Sequence, residues 1–409
     1  MRLLYTFGIH LYSLGIAIAA LFSEKAKLLR KGRKETWEHL RQWGAKKQKT
    51  IWFHCASLGE YEQGKPLIQK MRALYPDRKF LVSFFSPSGY EIKKNDAEID
   101  CAVYLPSDSK RHARRFIKMV QPESAFFVKY EYWFNFMDEL YRQKIPFYYL
   151  SAIFRPSQYF FKPYGQWFAK QLQKCNHFFV QNTVSKDLLQ SIGIKNVTIT
   201  GDTRFDRVYT IAQQKAALSF VEQFKDNSKL IVAGSTWLPD EQVLQSVFSQ
   251  IKGAYKLVIA PHVIDKEHIQ SIQNLFKDEK VICYSAIDGK ELSQYNVLII
   301  DAIGFLSKIY RYGEMAYIGG AFATGLHNTL EAAVFGIPLF FGPHYDHFNE
   351  AVELVNRGCA FPIRNADEMM QEIRLFSEDE KKYQAICNTC RAFVVQNLGA
   401  CERILEAIQ

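Results

Sequence analysis

Two series of short apolar runs, each run followed by a turn and an amphipathic stretch, constrain this chain more than any other feature. The first series reads "TIWFHC", "KFLVSFFS", "CAVYLP", "SAFFVKY", "PFYYLSA", "HFFVQN" and "VTITGD". After the polar stretch "RVYTIAQQKAALSFVEQFKDNS" a second series follows: "KLIVAGS", "YKLVIAPH", "KVICYS", "NVLIID", "MAYIGGAF" and "IPLFFGP". Runs of this length, separated by helical patterns, predict parallel strands joined by crossover helices. The expected fold class is therefore α/β, with two Rossmann-like domains facing a central cleft. The expected boundaries are 1–34 for an N-terminal membrane-anchor helix and its basic flank, 35–205 for the first domain, 206–228 for a connection, and 229–409 for the second. A helical pattern closes the chain from about Glu378, and this final helix is free to pack back on the first domain.

The N-terminal segment "LLYTFGIHLYSLGIAIAALF" (3–22) carries no formal charge, and ~20 apolar residues suffice to cross a bilayer. Lys25, Lys27, Arg30, Lys31, Arg33 and Lys34 follow it. A cleaved signal peptide carries its charge before the apolar run. The order found here predicts an uncleaved anchor, spanning the bilayer or lying in its interface, with the bulk of the protein on the cytoplasmic side. The net charge of +10 calls for an anionic partner: nucleic acid, membrane lipid or a phosphorylated substrate. No common nucleic-acid module is legible. The basic run "KRHARRFIK" (110–118) reads as a solvated helix face or a surface for lipid phosphates. The eight cysteines are scattered. Cys387 and Cys390 form a lone CxxC, so buried free thiols in a reducing compartment are expected, with no metal site.

In open α/β sheets ligands bind beyond the carboxyl ends of strands, so residues just after the apolar runs are the candidates. In "HCASLGEYEQGKPLI" a strand ends near Cys55 and a helix begins near Gly59. Glu60 falls in the first helical turn, where a carboxylate is favoured, and can take a proton from an attacking alcohol. Glu131 in "VKYEYWFN" follows another run, and Arg204 in "GDTRFD" is placed to stabilise developing negative charge. In the second half, "GGAFATGLHNTLEAAVFG" predicts a helix from about His327 to Phe335, ended by Gly336. Gly325 admits close backbone approach, the helix start favours phosphate, and Glu331 suits a ribose. "GSTW" with Ser235, and "APH" with Pro261 and His262, lie at the same sheet edge. No G-x-G-x-x-G with a downstream acid and no G-x-x-x-x-G-K-[ST] is present, so neither a nicotinamide cofactor nor an NTPase is expected.

Together "SLGE", "SPSG", "YEYW", "GDTRFD", "AGSTW", "IAPH", the "DAIG" loop, "GLHNTLEAA" and "FGPH" resemble the 3-deoxy-D-manno-octulosonic acid (Kdo) transferases of lipopolysaccharide synthesis, in the same order along nearly the whole chain. The resemblance implies a GT-B type, metal-independent, inverting glycosyltransferase without cofactor. It would move Kdo from CMP-Kdo to the tetra-acylated lipid A precursor at the cytoplasmic face of the inner membrane. Carried over by motif, Glu60 is the general base, and Glu131 and Arg204 support the transition state. Pro261, His262, Ile303, Gly304, Phe305, Asn328, Thr329, Leu330 and Glu331 hold CMP. Gly59, Ser235, Arg155, Gly325 and His327 are further substrate-binding candidates, Arg155 for the Kdo carboxylate. The chain departs from the family pattern at His262, where arginine is common, at "AIGFL" and "NTLE", and at Lys129. Two other readings fit the residues: a GT-B enzyme using a UDP-sugar and a lipid acceptor, and an inactive membrane-tethered protein that binds a nucleotide sugar.

Overall fold

The computed structural model describes residues 1–46, 48–214, 217–323 and 325–408. The chain divides into two compact units, Met1–Arg207 with Leu398–Gln409, and Val208–Asn397.

The first unit is built on a parallel sheet of seven strands: β1 (Thr50–Cys55), β2 (Lys79–Phe84), β3 (Cys101–Tyr104), β4 (Pro122–Val128), β5 (Phe147–Ala152), β6 (His177–Val180) and β7 (Val197–Ile199). Their order is β3-β2-β1-β4-β5-β6-β7, so the winding reverses between β1 and β4. All of β1 is buried, as expected of a parallel strand covered on both faces. Successive side chains alternate between two cores. Trp52, Phe127 and Tyr149 enter one; Phe53, Phe126 and Leu150 enter the other.

Helix α1 (Arg2–Ala19) has the length and apolarity of a membrane span, and none of its residues is buried. One stripe, Tyr5, Thr6, Ile9, Ser13, Ile16 and Ala17, is half-buried, at the spacing of one helix face. On that stripe the Tyr5 hydroxyl donates to buried Asp108 and the Tyr5 ring meets Phe134 edge-on at 5.1 Å. Arg2 pairs with Asp138. The remaining face exposes Leu3, Leu4, Phe7, Leu11, Leu14 and Ile18. Helix α2 (Glu24–Gly44) takes up the basic flank, so the expected boundary at 34/35 falls inside it. Gly32 lets α2 approach β3: a Cβ there would stand 2.2 Å from the Tyr104 ring. Thr36 pins the contact, donating to the Tyr104 carbonyl at 2.9 Å and accepting its N–H at 3.2 Å. Helices α3 (Leu58–Leu74), α4 (Pro87–Lys93) and α5 (Lys110–Val120) follow β1, β2 and β3. Helix α5 is the basic run; it buries Ala113, Phe116, Ile117 and Val120.

The second unit carries seven parallel strands, β8 (Lys229–Thr236), β9 (Tyr255–Pro261), β10 (Val281–Cys283), β11 (Val297–Ile299), β12 (Met315–Ile318), β13 (Leu339–Phe341) and β14 (Ala360–Pro362). Their order is β10-β11-β9-β8-β12-β13-β14, with the reversal between β8 and β12. The closing pattern resolves into two helices. Glu380–Gln396 belongs to the second unit, and Ala400–Ile408 to the first. There the Asp206 carboxylate accepts the Gly399 and Cys401 amides, each at 2.8 Å. All eight cysteines are free, and Cys387 and Cys390 are both buried.

Candidate active sites at the two switch points

A doubly wound sheet opens a crevice where strand order reverses, beyond the carboxyl ends. In the first unit that point lies between β1 and β4, the strands that lead into Glu60 and Glu131. Burial first, then the Glu60 and Glu131 carboxylates together, push the Cys55 thiol well up, so both acids flank the end of β1.

Glu60 is the fourth residue of "SLGE". The Ser57 backbone N–H donates to its Oε2 at 3.0 Å, and the Ser57 hydroxyl donates to the same oxygen. This is the reach-back of a capping box, in which a glutamate three residues past the cap satisfies an otherwise orphaned amide. Position 60 thus has a structural duty that the sequence reading did not assign, although the S-x-x-E spacing signals it. Among the described residues nothing bonds Oε1. One oxygen is anchored and the other is available.

Two ring nitrogens meet one oxygen of Glu131. Trp133 Nε1 donates to Oε2 at 2.9 Å, and His54 Nε2 lies 3.3 Å from the same oxygen. His54 is wholly buried on β1. Its Nδ1 is 2.9 Å from the Ser83 hydroxyl, which accepts from Trp52 Nε1 at 2.8 Å. Nδ1 also lies 3.0 Å from the Ser83 carbonyl oxygen, which can only accept. His54, Ser83 and Trp133 were not among the sequence candidates. A lone histidine inside an apolar run gives no signal until β2 and β4 are known to flank it.

Arg204 closes this edge. Its Nε donates to Asp202 at 2.8 Å, and Gln63 of α3 donates to the same carboxylate at 2.6 Å. Burial would raise the Asp202 carboxyl, but Arg204 beside it and Lys129 hold it below its usual range. Arg155 is exposed, and its guanidinium lies 5.9 Å from the Tyr130 ring centroid. Burial raises the Tyr130 hydroxyl against the opposing pull of Arg155 and Arg204, so these cations gather around the residue before Glu131. Backbone strain collects here too: Lys129 and Ser151, at the ends of β4 and β5, have φ of 62° and 48°. Non-glycine residues in this region are uncommon and concentrate at functional sites. Gly59 is exposed, and a Cβ there would meet the Ser57 hydroxyl at an ordinary 3.8 Å.

In the second unit the reversal brings the end of β8 beside the end of β12. Ser235, at φ 55°, sits in a bulge of β8. Gly319 must be glycine: a Cβ would lie 2.3 Å from the Ser235 carbonyl oxygen and 2.6 Å from Thr236 Cα. Three rings stack over this point. Trp237 and His262 are 4.8 Å apart and His262 and His327 4.4 Å apart, both nearly parallel, and Trp237 Nε1 donates to His327 Nε2 at 3.3 Å. Burial and the neighbouring His262 push the His327 imidazole down to about 4.

The expected helix from His327 to Phe335 is a correction: the helix spans only Leu330–Ala333. The chain before it folds back on itself, the Gly325 amide bonding to Gly320 and the His327 amide to Gly319. Asn328 Nδ2 donates to Glu331 at 3.0 Å, while Asn328 Oδ1 accepts the Leu330 amide at 3.3 Å. Thr329, Leu330 and Pro261 are buried. In the loop after β11, Ile303 is exposed and Gly304 has φ 99°. Phe305 packs with Tyr284 and Phe220 at 4.7 and 5.6 Å. Among the described residues no group of three or more His, Cys, Asp or Glu side chains is arranged to hold a metal ion.

Residues 31–207 match the sequence profile of the 3-deoxy-D-manno-octulosonic-acid transferase (kdotransferase) family. A bifunctional glycosyltransferase/methyltransferase of Fusobacterium nucleatum is 25% identical over 83% of this chain, and the chain spans 54% of that longer protein. A 3-deoxy-D-manno-octulosonic acid transferase of Aquifex aeolicus is 25% identical over 79% of this chain and 84% of its own length. Among solved structures, the UDP-GlcNAc 2-epimerase of Neisseria meningitidis aligns with a TM-score of 0.63 over 88% of this chain and 99% of its own, at 15% identity. That likeness concerns the fold, an α/β architecture of GT-B type with two Rossmann-like units.

Proposed function

Because the chain belongs to the Kdo transferase family of glycosyltransferases, we propose that it moves Kdo from CMP-Kdo to the tetra-acylated lipid A precursor, with Glu60 as general base. The carrying observation is the Glu60 carboxylate, anchored through one oxygen by Ser57 and unbonded at the other, at the β1/β4 switch point. In this reading a sugar hydroxyl of the acceptor attacks the anomeric carbon of Kdo. The bond from that carbon to the CMP phosphate breaks, its electron pair leaves with CMP, and the hydroxyl proton passes to Glu60. One base and one displacement invert the anomeric centre. Arg204, with Glu131 held by His54 and Trp133, shapes the field around the reacting carbon. Arg155 meets the Kdo carboxylate.

The second unit holds the donor. Its switch point supplies Ser235, the backbone of residues 319–323 and 325–327, and the His262–His327 pair for the phosphate. The loop 303–305, with Asn328 and Glu331, holds the nucleoside. Because the helix at 330–333 is one turn long, phosphate binding falls to loop amides and imidazoles. A histidine at 262 in place of the family's usual arginine fits that arrangement.

Helix α1 lies along the cytoplasmic surface of the inner membrane with Leu3, Leu4, Phe7 and Leu11 in the acyl region, because its other face is docked on the first unit through Tyr5–Asp108 and Arg2–Asp138. Thermal shift with CMP against UDP, followed by transfer from CMP-Kdo to the precursor, tests the assignment. A shift by UDP alone, or no transfer, refutes it.

A further inference from the structure

Between α1, α2 and the loop that leads into α5 lies a cavity of about 160 Å³. One wall is Ser13, Ile16 and Ala17 of α1. The other carries Arg30, Arg33 and Lys34 of α2, and Ser107 and His112 close the end. Three cations, two hydroxyls and an imidazole thus line a space into which no carboxylate projects.

Arg33 is the informative member. It is half-buried. Its Nε donates to the Leu105 carbonyl at 3.1 Å, and its guanidinium lies 5.1 Å from the Phe85 ring centroid. Among the described residues no carboxylate pairs with it, nor with Arg30 or Lys34. Most other buried or half-buried cations of the first unit are paired: Lys65 with Asp96, Lys93 and Arg207 with Glu62, Arg72 with Asp100. A buried guanidinium without an anion is costly. Burial pulls its proton affinity down, to about 10. Two of its nitrogens remain for a planar, doubly bonded oxyanion.

We propose that this cavity is a binding site for the phosphate of an anionic glycerophospholipid. The headgroup sits against Arg33, Arg30 and Lys34, and the acyl chains run along the exposed apolar face of α1. The space, equal to several waters at ~30 Å³ each in the liquid, has room for a phosphate. The lipid is bound at the junction where a membrane-facing helix meets a basic one, the place where cytoplasmic-leaflet anions are richest. Occupancy would fasten α1 to α2 and seat Phe85, which touches both Tyr12 of α1 (6.2 Å) and Trp133 beside Glu131 (5.2 Å). The inference is independent of the Kdo-transfer reading, since it concerns neither donor nor acceptor.

The test uses the full chain and dihexanoylphosphatidylglycerol as a soluble monomer, with dihexanoylphosphatidylcholine and inorganic phosphate as separate arms. Saturable binding of the glycerol lipid is expected, with both other probes at least tenfold weaker. The double variant Arg30→Gln/Lys34→Gln changes only exposed side chains and keeps the fold. It should weaken binding about thirtyfold, the equivalent of ~1 kcal/mol per cation. Lys381→Gln/Lys382→Gln, an equal change of charge on the second unit, should leave it within threefold. Arg33→Gln, checked for a native melting curve, should abolish saturation. Equal binding of phosphatidylcholine, equal binding of free phosphate, displacement by the lipid A precursor, or equal losses in the two double variants would each overturn the proposal.

Discussion

Replacing Glu60 with glutamine separates its two duties. The structural duty is the capping box, in which Oε2 accepts the Ser57 amide at 3.0 Å and the Ser57 hydroxyl. A glutamine oxygen accepts the same two donors, as it does in natural capping boxes. Only the charge-assisted part is lost. Deleting a cap outright costs ~1 kcal/mol, so Glu60→Gln should cost about half of that, a fall of ~1–2 °C in the melting temperature of a unit of this size. The chemical duty has no such substitute, because an amide takes no proton at neutral pH. Loss of a general base lowers turnover ~10²–10⁴-fold, equivalent to ~3–5 kcal/mol in the barrier. Ser57→Ala is the complement: it removes the hydroxyl but keeps the carboxylate, and should cost ~1 kcal/mol of stability with less than tenfold loss of turnover. Single-turnover Kdo transfer, measured beside thermal unfolding and CMP binding, reads all three quantities. Wild-type turnover in Glu60→Gln refutes the base assignment. Loss of turnover that tracks loss of stability across both variants refutes the separation of duties.

Trp133→Phe removes the indole donor to Glu131 while keeping the ring against Phe85. Turnover should fall about tenfold with KM unchanged, and an unchanged kcat would exclude a role for that hydrogen bond. The depressed His327 imidazole, at about 4 against ~6.5 when free, makes the unfolded chain bind protons first on acidification. The second unit therefore loses ~1–3 kcal/mol as pH falls from about 6.5 to about 4. Denaturant titrations across that window should show the slope, and His327→Gln should flatten it. Tyr5→Phe leaves Asp108 without one of its donors, at a cost of ~1–3 kcal/mol confined to the docking of α1. Amide exchange in residues 2–19 should quicken while that of β1 and β4 stays fixed.

The sheet architecture was legible because apolar runs and amphipathic stretches report local periodicity, and every quoted run became a strand. Strand order was not legible, and it decides which loops meet: only the reversals at β1/β4 and β8/β12 put Glu60 beside Glu131 and Ser235 beside Gly319. His54 stayed invisible because its partners, Ser83 of β2 and Glu131 just beyond β4, are distant in sequence. The helix expected at His327 failed for a local reason. Gly320 and Gly325, with φ of 95° and 106°, fold the segment back before a helix can start, and hydrophobic spacing carries no trace of that turn. The 34/35 boundary misread a composition change as a domain edge: the dense basic cluster of α2 ends at Lys34, but its buried stripe of Leu29, Gly32, Thr36 and Leu40 runs on.

The most direct test is incubation of the full chain with CMP-Kdo and the tetra-acylated lipid A precursor in anionic vesicles, followed by mass spectrometry of the lipid. Precursor carrying added Kdo is expected, with one CMP released per Kdo, and unmodified precursor when Glu60→Gln is used for the same time. Modification from a UDP-sugar instead, or equal product from Glu60→Gln, would contradict it.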